Sequence, residues 1–150
     1  MKRLRIYIDT SIVGGCLDEE FTEESKLLIA MARKGEVCLL ISDLLVQELR
    51  EAPDAIRAIL AELPDDTVER VSMTLETQHL RDAYLASEVV GERSSNDAHH
   101  VAIATVHRAA MIVSWNFRHI VHFDKIRQFN AVNLREGYGI MEIYSPKEVV

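Results

Sequence analysis

Three short apolar runs limit what this chain can fold into: Ile6-Tyr7-Ile8, Val37-Cys38-Leu39-Leu40-Ile41 and Met111-Ile112-Val113. Runs this brief and this β-branched suit strands with both faces covered, the pattern of a parallel sheet between helices. The intervening stretches carry helical spacing. Leu27, Leu28 and Met31 mark the inward face of a helix over residues 23–34, which Gly35 ends. Ala98, Val101, Ala102, Thr105 and Ala109 recur at the same period, and their small side chains let a helix lie close on a sheet. Phe123, Ile126, Phe129 and Val132 form a last stripe, and Leu80, Ala83 and Tyr84 are core contacts of a helix over 75–90. Weaker strands over 67–73, at an edge, and over 140–144 complete the alternation. The chain therefore predicts an α/β fold of three layers, with a mainly parallel five-stranded sheet and a single domain over residues 1–150.

The polar residues that stop these runs carry the chemistry. Asp9-Thr10-Ser11 follows the first run directly, and Ser114-Trp115-Asn116 follows the third. Ser42 caps a helix over 43–52, on which Glu48 shares the inward face of Leu44 and Leu45. A glutamate there is costly unless a cation or hydrogen bond neutralises it, and a buried ion pair with an arginine is the plain solution. Ser95 or Asn96 caps the next helix and puts Asp97 in its first turn, which suits the helix dipole. Right-handed crossovers bring Asp9, the helix of Glu48, Asp97 and Asn116 to one rim of the sheet. Taken singly, each acid has an ordinary explanation, and Asp9 can simply cap a helix.

Carboxylates gathered in one cleft repel each other. A pair 4 Å apart costs about 1 kcal/mol in water and about 4 at an effective dielectric of 20. Such a cluster takes up protons or binds a cation, and hard oxygen donors without cysteine favour Mg²⁺ or Mn²⁺ over zinc. The charge pattern agrees with a phosphate substrate. The net charge of −7 argues against indiscriminate nucleic-acid binding. Yet residues 93–135 hold six Lys/Arg against two acids, whereas residues 43–92 hold four against twelve. Acids beside a basic strip containing Arg118, Lys125 and Arg127 suit metal-assisted phosphodiester hydrolysis.

With those residues in place the chain resembles the PIN-domain nucleases, most closely the small VapC-type toxins of toxin–antitoxin pairs. The likeness rests on Ile6–Ser11 (I-Y-I-D-T-S), Ile41–Leu49 (I-S-D-L-L-V-Q-E-L), Asn96–Ala104 (N-D-A-H-H-V-A-I-A) and Val113–Ile120 (V-S-W-N-F-R-H-I). It implies metal-binding acids at Asp9, Glu48 and Asp97, Mg²⁺- or Mn²⁺-dependent RNA cleavage, an antitoxin partner and a homodimer. Many relatives carry an aspartate where this chain has Asn116. Asparagine offers a neutral carbonyl or a hydrogen bond to a metal-bound water, and its missing charge favours one well-held ion. Thr10 and Ser11 are candidates to touch phosphate or orient water, with turn hydroxyls as the alternative, and Arg118 and His119 are candidate RNA contacts.

Other readings follow from the same residues. A PIN fold with an incomplete acid set can bind RNA or a protein without cutting. An aspartate-nucleophile phosphatase would want a second carboxylate two residues after Asp9, where Ser11 stands. His99, His100 and His107 are expected at the solvent side or edge of their helix, Trp115 in packing, and Asp124 at a helix start. No apolar run approaches the roughly 18 residues of a membrane span, and the basic start breaks at Asp9 before any signal sequence could form. Cys16 and Cys38 lack metal-ligand spacing and suit the reducing cytoplasm. Exposed apolar helix faces between residues 23 and 63 are the candidates for a dimer contact.

Overall fold

The computed structural model describes residues 2–150. Its strands are β1 (Leu4–Ile8), β2 (Val37–Ser42), β3 (Val68–Val71), β4 (Met111–Val113) and β5 (Glu142–Tyr144). Its helices are α1 (Thr10–Gly15), α2 (Thr22–Arg33), α3 (Asp43–Glu48), α4 (Asp54–Ala61), α5 (Leu75–Ala86), α6 (Ser95–Val106) and α7 (Phe123–Arg135). The strands form one sheet in the order β3-β2-β1-β4-β5, and every pairing is parallel.

Strand alternation divides the core in two. Ile6, Ile8, Leu39, Ile41 and Val113 face α1, α2 and α4, in a cluster with Ile12, Leu28, Ile29 and Ile56. Tyr7, Leu40, Ile112 and Ile143 face α5, α6 and α7, with Leu80, Tyr84, Val101 and Phe129. A sheet covered this way needs apolar residues at successive positions, which explains the uninterrupted runs.

Chain direction fixes where a cleft opens. From β1 the chain builds outward through β2 to β3, then returns across the sheet to place β4 on the other side of β1. That reversal makes the carboxyl ends of β1 and β4 the switch point, where neighbouring connections diverge and leave a crevice.

Several local expectations change in three dimensions. The buried face of α2 is Ser25, Leu28, Ile29 and Ala32, while Leu27 stands 48% exposed. Ser25 turns inward because its hydroxyl takes the indole N–H of Trp115 at 2.7 Å. Leu27, two residues on, therefore swings out. Gly15 permits this approach, since a Cβ there would lie 2.5 Å from Ser25 Oγ. Phe123 is 73% exposed because it opens α7 beyond the end of the core, and Arg127 covers its ring at 5.5 Å. Ser94, not Ser95 or Asn96, occupies the N-cap of α6, and its side chain makes no capping bond. α3 is shorter than its apolar pattern, ending at Glu48, and α5 ends before Glu88, whose φ is +57°. No helix among the described residues is long and apolar enough to cross a membrane.

Candidate active site

Asp9 sits at the switch point, immediately after β1 and only 5% exposed. It holds the N-cap position of α1, yet its side chain makes no capping bond. Its oxygens turn across the sheet instead. Ser11 Oγ donates to Asp9 Oδ1 at 2.5 Å, and Ser114 Oγ, beyond the end of β4, donates to Oδ2 at 2.7 Å. Burial pushes this carboxyl up, His100 and the two hydroxyls pull against it, and the charge of Asp97 pushes it up further. Asp97, half-buried in the first turn of α6, is thus within electrostatic range of Asp9.

Glu48 closes α3 and reaches the same rim from the other side. Thr10 Oγ1 donates to Glu48 Oε1 at 2.6 Å, tying α3 to the residue after Asp9. His100 Nε2 meets the same oxygen at 2.6 Å. An ionised carboxylate only accepts, so Nε2 carries the proton. On its other side His100 Nδ1 lies 2.6 Å from the Tyr7 hydroxyl, whose oxygen also lies 2.9 Å from Ser42 Oγ. Ser42 Oγ also accepts from Leu45 N and so caps α3. Burial pushes the Glu48 carboxyl up, but the hydrogen bond and charge of His100, with hydrogen bonds from Thr10 and Asn96, hold it below its ordinary value.

The partner that neutralises Glu48 is therefore a histidine, not an arginine. His99 and His100 are both 2% exposed, which reverses the solvent-side placement expected for them. α6 is buried over nearly its whole length, from Ala98 to Thr105, so it has no open face there for a histidine. His99 Nε2 bonds Thr77 Oγ1 at 2.9 Å, and burial lowers its pKa to about 4. His107 does lie at the helix edge, near the Ser72 carbonyl. The sequence signal for His100 was its place three residues after Asp97, on the same helix face, opposite a glutamate that needed a partner.

The remaining candidates line the loop after β4. Asn116 N donates to Ser114 Oγ, while Asn116 Oδ1 accepts from His119 N at 2.9 Å. That oxygen thus closes the turn that presents Arg118, which is exposed. His119 is half-buried, with Nδ1 enclosed and without a hydrogen-bond partner. Ser11 Oγ accepts from Trp115 N at 2.9 Å besides donating to Asp9. The hydroxyls of Thr10 and Ser11 are therefore directed at the two acids. Lys125 is drawn to the Val89 carbonyl at 2.8 Å.

Among the described residues no three His, Cys, Asp or Glu side chains form a ready-made metal cage. The donor chemistry nonetheless fits a hard cation: Asp9 is buried and its charge is disfavoured by Asp97. The bonds from Thr10 and His100 share Glu48 Oε1 and so fix the position of that carboxylate at the rim. Donors that form no such cage suit an ion that keeps much of its water.

Comparison with known proteins places the site in context. A family model described as PIN domain matches residues 5–118. No curated protein sequence matches the chain. Among solved structures, VapBC2 from Rickettsia felis bound to a DNA fragment from its promoter is similar in fold. That match has a TM-score of 0.60 at 13% identity, spanning 95% of this chain and 98% of that one.

Proposed function

Since the chain belongs to the PIN-domain family, we propose that it is a cytoplasmic, divalent-metal-dependent endoribonuclease that hydrolyses RNA phosphodiester bonds. The observation that carries this reading is Asp9, a buried carboxylate at the sheet's switch point inside the field of a second acid, Asp97. That arrangement is unfavourable for a protein alone and becomes favourable beside a cation.

Asp9, Asp97 and Glu48 would hold Mg²⁺ or Mn²⁺. When bound, such an ion supplies a Lewis acid for the phosphate and a water of lowered pKa. The chain's own residues do the rest. Ser11 and Ser114 fix the plane of the Asp9 carboxylate, and Thr10 and His100 fix Glu48. Asn116 holds the turn that directs Arg118 and His119 to the backbone of the RNA. Thr10 and Ser11 serve the substrate indirectly, by orienting the acids.

The test is cleavage of a labelled RNA with Mn²⁺ by the purified protein, alongside Asp9→Asn and Asp97→Asn variants. Cleavage that needs Mn²⁺ and falls at least a hundred-fold in both variants, with melting unchanged, supports the nuclease. RNA retained but never cut supports the alternative, a degenerate PIN fold that only binds. The toxin role, an antitoxin partner and the homodimer belong to the same proposal. The apolar groove of about 640 Å³ between α2 and α4, lined by Leu17, Leu27 and Ile59, supports a protein contact there.

A further inference from the structure

Beside the acids stands an aromatic ring that the fold itself does not need. Phe117 is 47% exposed, although it directly follows the half-buried Asn116 in a tightly bonded loop. Its position is nevertheless fixed. Phe117 N donates to the Trp115 carbonyl at 2.9 Å, and its ring meets the Trp115 indole edge-on, with centroids 6.1 Å apart at 65°. Trp115 is anchored three times over: its N–H on Ser11 Oγ, its indole N–H on Ser25 Oγ, and its face stacked on Phe21 at 4.3 Å. Ser11 in turn holds Asp9. An exposed ring is thus tied through two hydrogen bonds and one ring contact to the carboxylate at the centre of the site.

We propose that Phe117 is a base-stacking residue that fixes one unpaired nucleotide beside the scissile phosphate, so that the substrate is RNA unpaired at that position. The inference rests on the reading that RNA meets Asp9. Its chemistry is that of single-strand platforms, where a π face takes any base and a neighbouring cation takes the phosphate. Arg118, exposed and next in the chain, supplies that cation. A ring held rigid before binding loses little entropy when a base settles on it. A protein partner would also cover an exposed ring, but the adjoining cation and the bonded path to Asp9 favour a nucleotide.

The experiment measures binding and cleavage separately. A labelled 12-nucleotide single-stranded RNA is titrated by anisotropy against the metal-free full chain and its Phe117→Ala, Phe117→Leu and Phe117→Trp variants. The same RNA as a duplex is the control. Stacking predicts about ten-fold weaker binding for both Ala and Leu, since leucine keeps the bulk but lacks the π face, and near-parent binding for Trp. The duplex should show no dependence on residue 117. Equal affinity of all four proteins for the single strand overturns the inference and assigns the ring to a protein contact, whether or not the parent cleaves. The expected pattern without Mn²⁺-dependent cleavage overturns the nuclease reading and leaves the stacking assignment standing. A parent protein that neither binds the single strand nor cuts it with Mn²⁺ overturns both.

Discussion

Replacing Tyr7 with phenylalanine removes one oxygen from a fully buried ring in β1 and leaves the packing volume almost unchanged. The oxygen has two partners, Ser42 Oγ at 2.9 Å and His100 Nδ1 at 2.6 Å. Ser42 retains the amide of Leu45, so it is not orphaned. His100 Nδ1 loses its hydrogen bond in a side chain only 2% exposed. A net hydrogen bond is worth about 1 kcal/mol, and a buried polar group left unpaired costs about 1–3 more. The expected loss is about 2–4 kcal/mol, which for a chain of this size lowers Tm by about 4–16 °C. Urea unfolding should give a lower midpoint with unchanged slope, the mark of a changed stability rather than a changed unfolding transition. The same substitution in a His100→Ala background should cost at least about 1 kcal/mol less, because the two residues act as one unit. A cost under about 0.5 kcal/mol, or strict additivity of the two changes, would refute the claim that the core supports Glu48 through this relay.

Other outcomes follow from neighbouring geometry. Asp9→Asn should leave metal-free Tm unchanged or raised, since it removes a charge that burial and Asp97 disfavour, while abolishing any rise in Tm on adding Mn²⁺; paired melts check this. Gly15→Ala should cost about 1–3 kcal/mol in urea unfolding, because its Cβ would press on Ser25 Oγ and on the Trp115 indole nitrogen, 2.5 and 2.9 Å away. The hydrogen bonds from Arg5 hold the Glu69 carboxyl below its ordinary value, so the pair's stabilisation is full above about pH 4.3 and is lost as pH falls through the lowered folded value. With 40% of the Glu69 side chain exposed, this amounts to at most about 1 kcal/mol, and Glu69→Gln should flatten the acid limb of stability against pH by that amount.

What could be read in advance was whatever depends on local pattern. The runs at Ile6-Tyr7-Ile8 and Met111-Ile112-Val113 announced strands covered on both faces, and the cap at Ser42 announced α3, because these signals lie within a few residues of their effect. The rotation of α2 was hidden, since it depends on a hydroxyl at Ser25 meeting an indole 90 residues away. The burial of His99 and His100 was hidden for a related reason. Periodicity marks the apolar side of α6, but nothing local says that Thr77 and Glu48 would bring hydrogen-bonding groups to its polar side.

The two acids flanking Thr10 are balanced in opposite senses, and that asymmetry bears on how the site works. Glu48 has its charge met from within: His100 and Thr10 hold Oε1, and the carboxyl lies below its ordinary value. Asp9 is buried with two hydroxyl donors, and burial and the like-charged Asp97 outweigh the pull of His100 and the hydroxyls, so its carboxyl lies above its ordinary value. Electrostatic demand for a cation therefore concentrates on the Asp9 and Asp97 side. Glu48 contributes position more than unmet charge. Deleting the His100 contact would reverse that balance, leaving a half-buried Glu48 to compete for protons or for the ion. His100→Ala should therefore impair metal-induced stabilisation more than its distance from Asp9 alone would imply, and His100→Gln, which can still donate to Oε1, should restore much of it. Equal metal responses in the parent and both variants would separate the relay from the ion and confine His100 to packing.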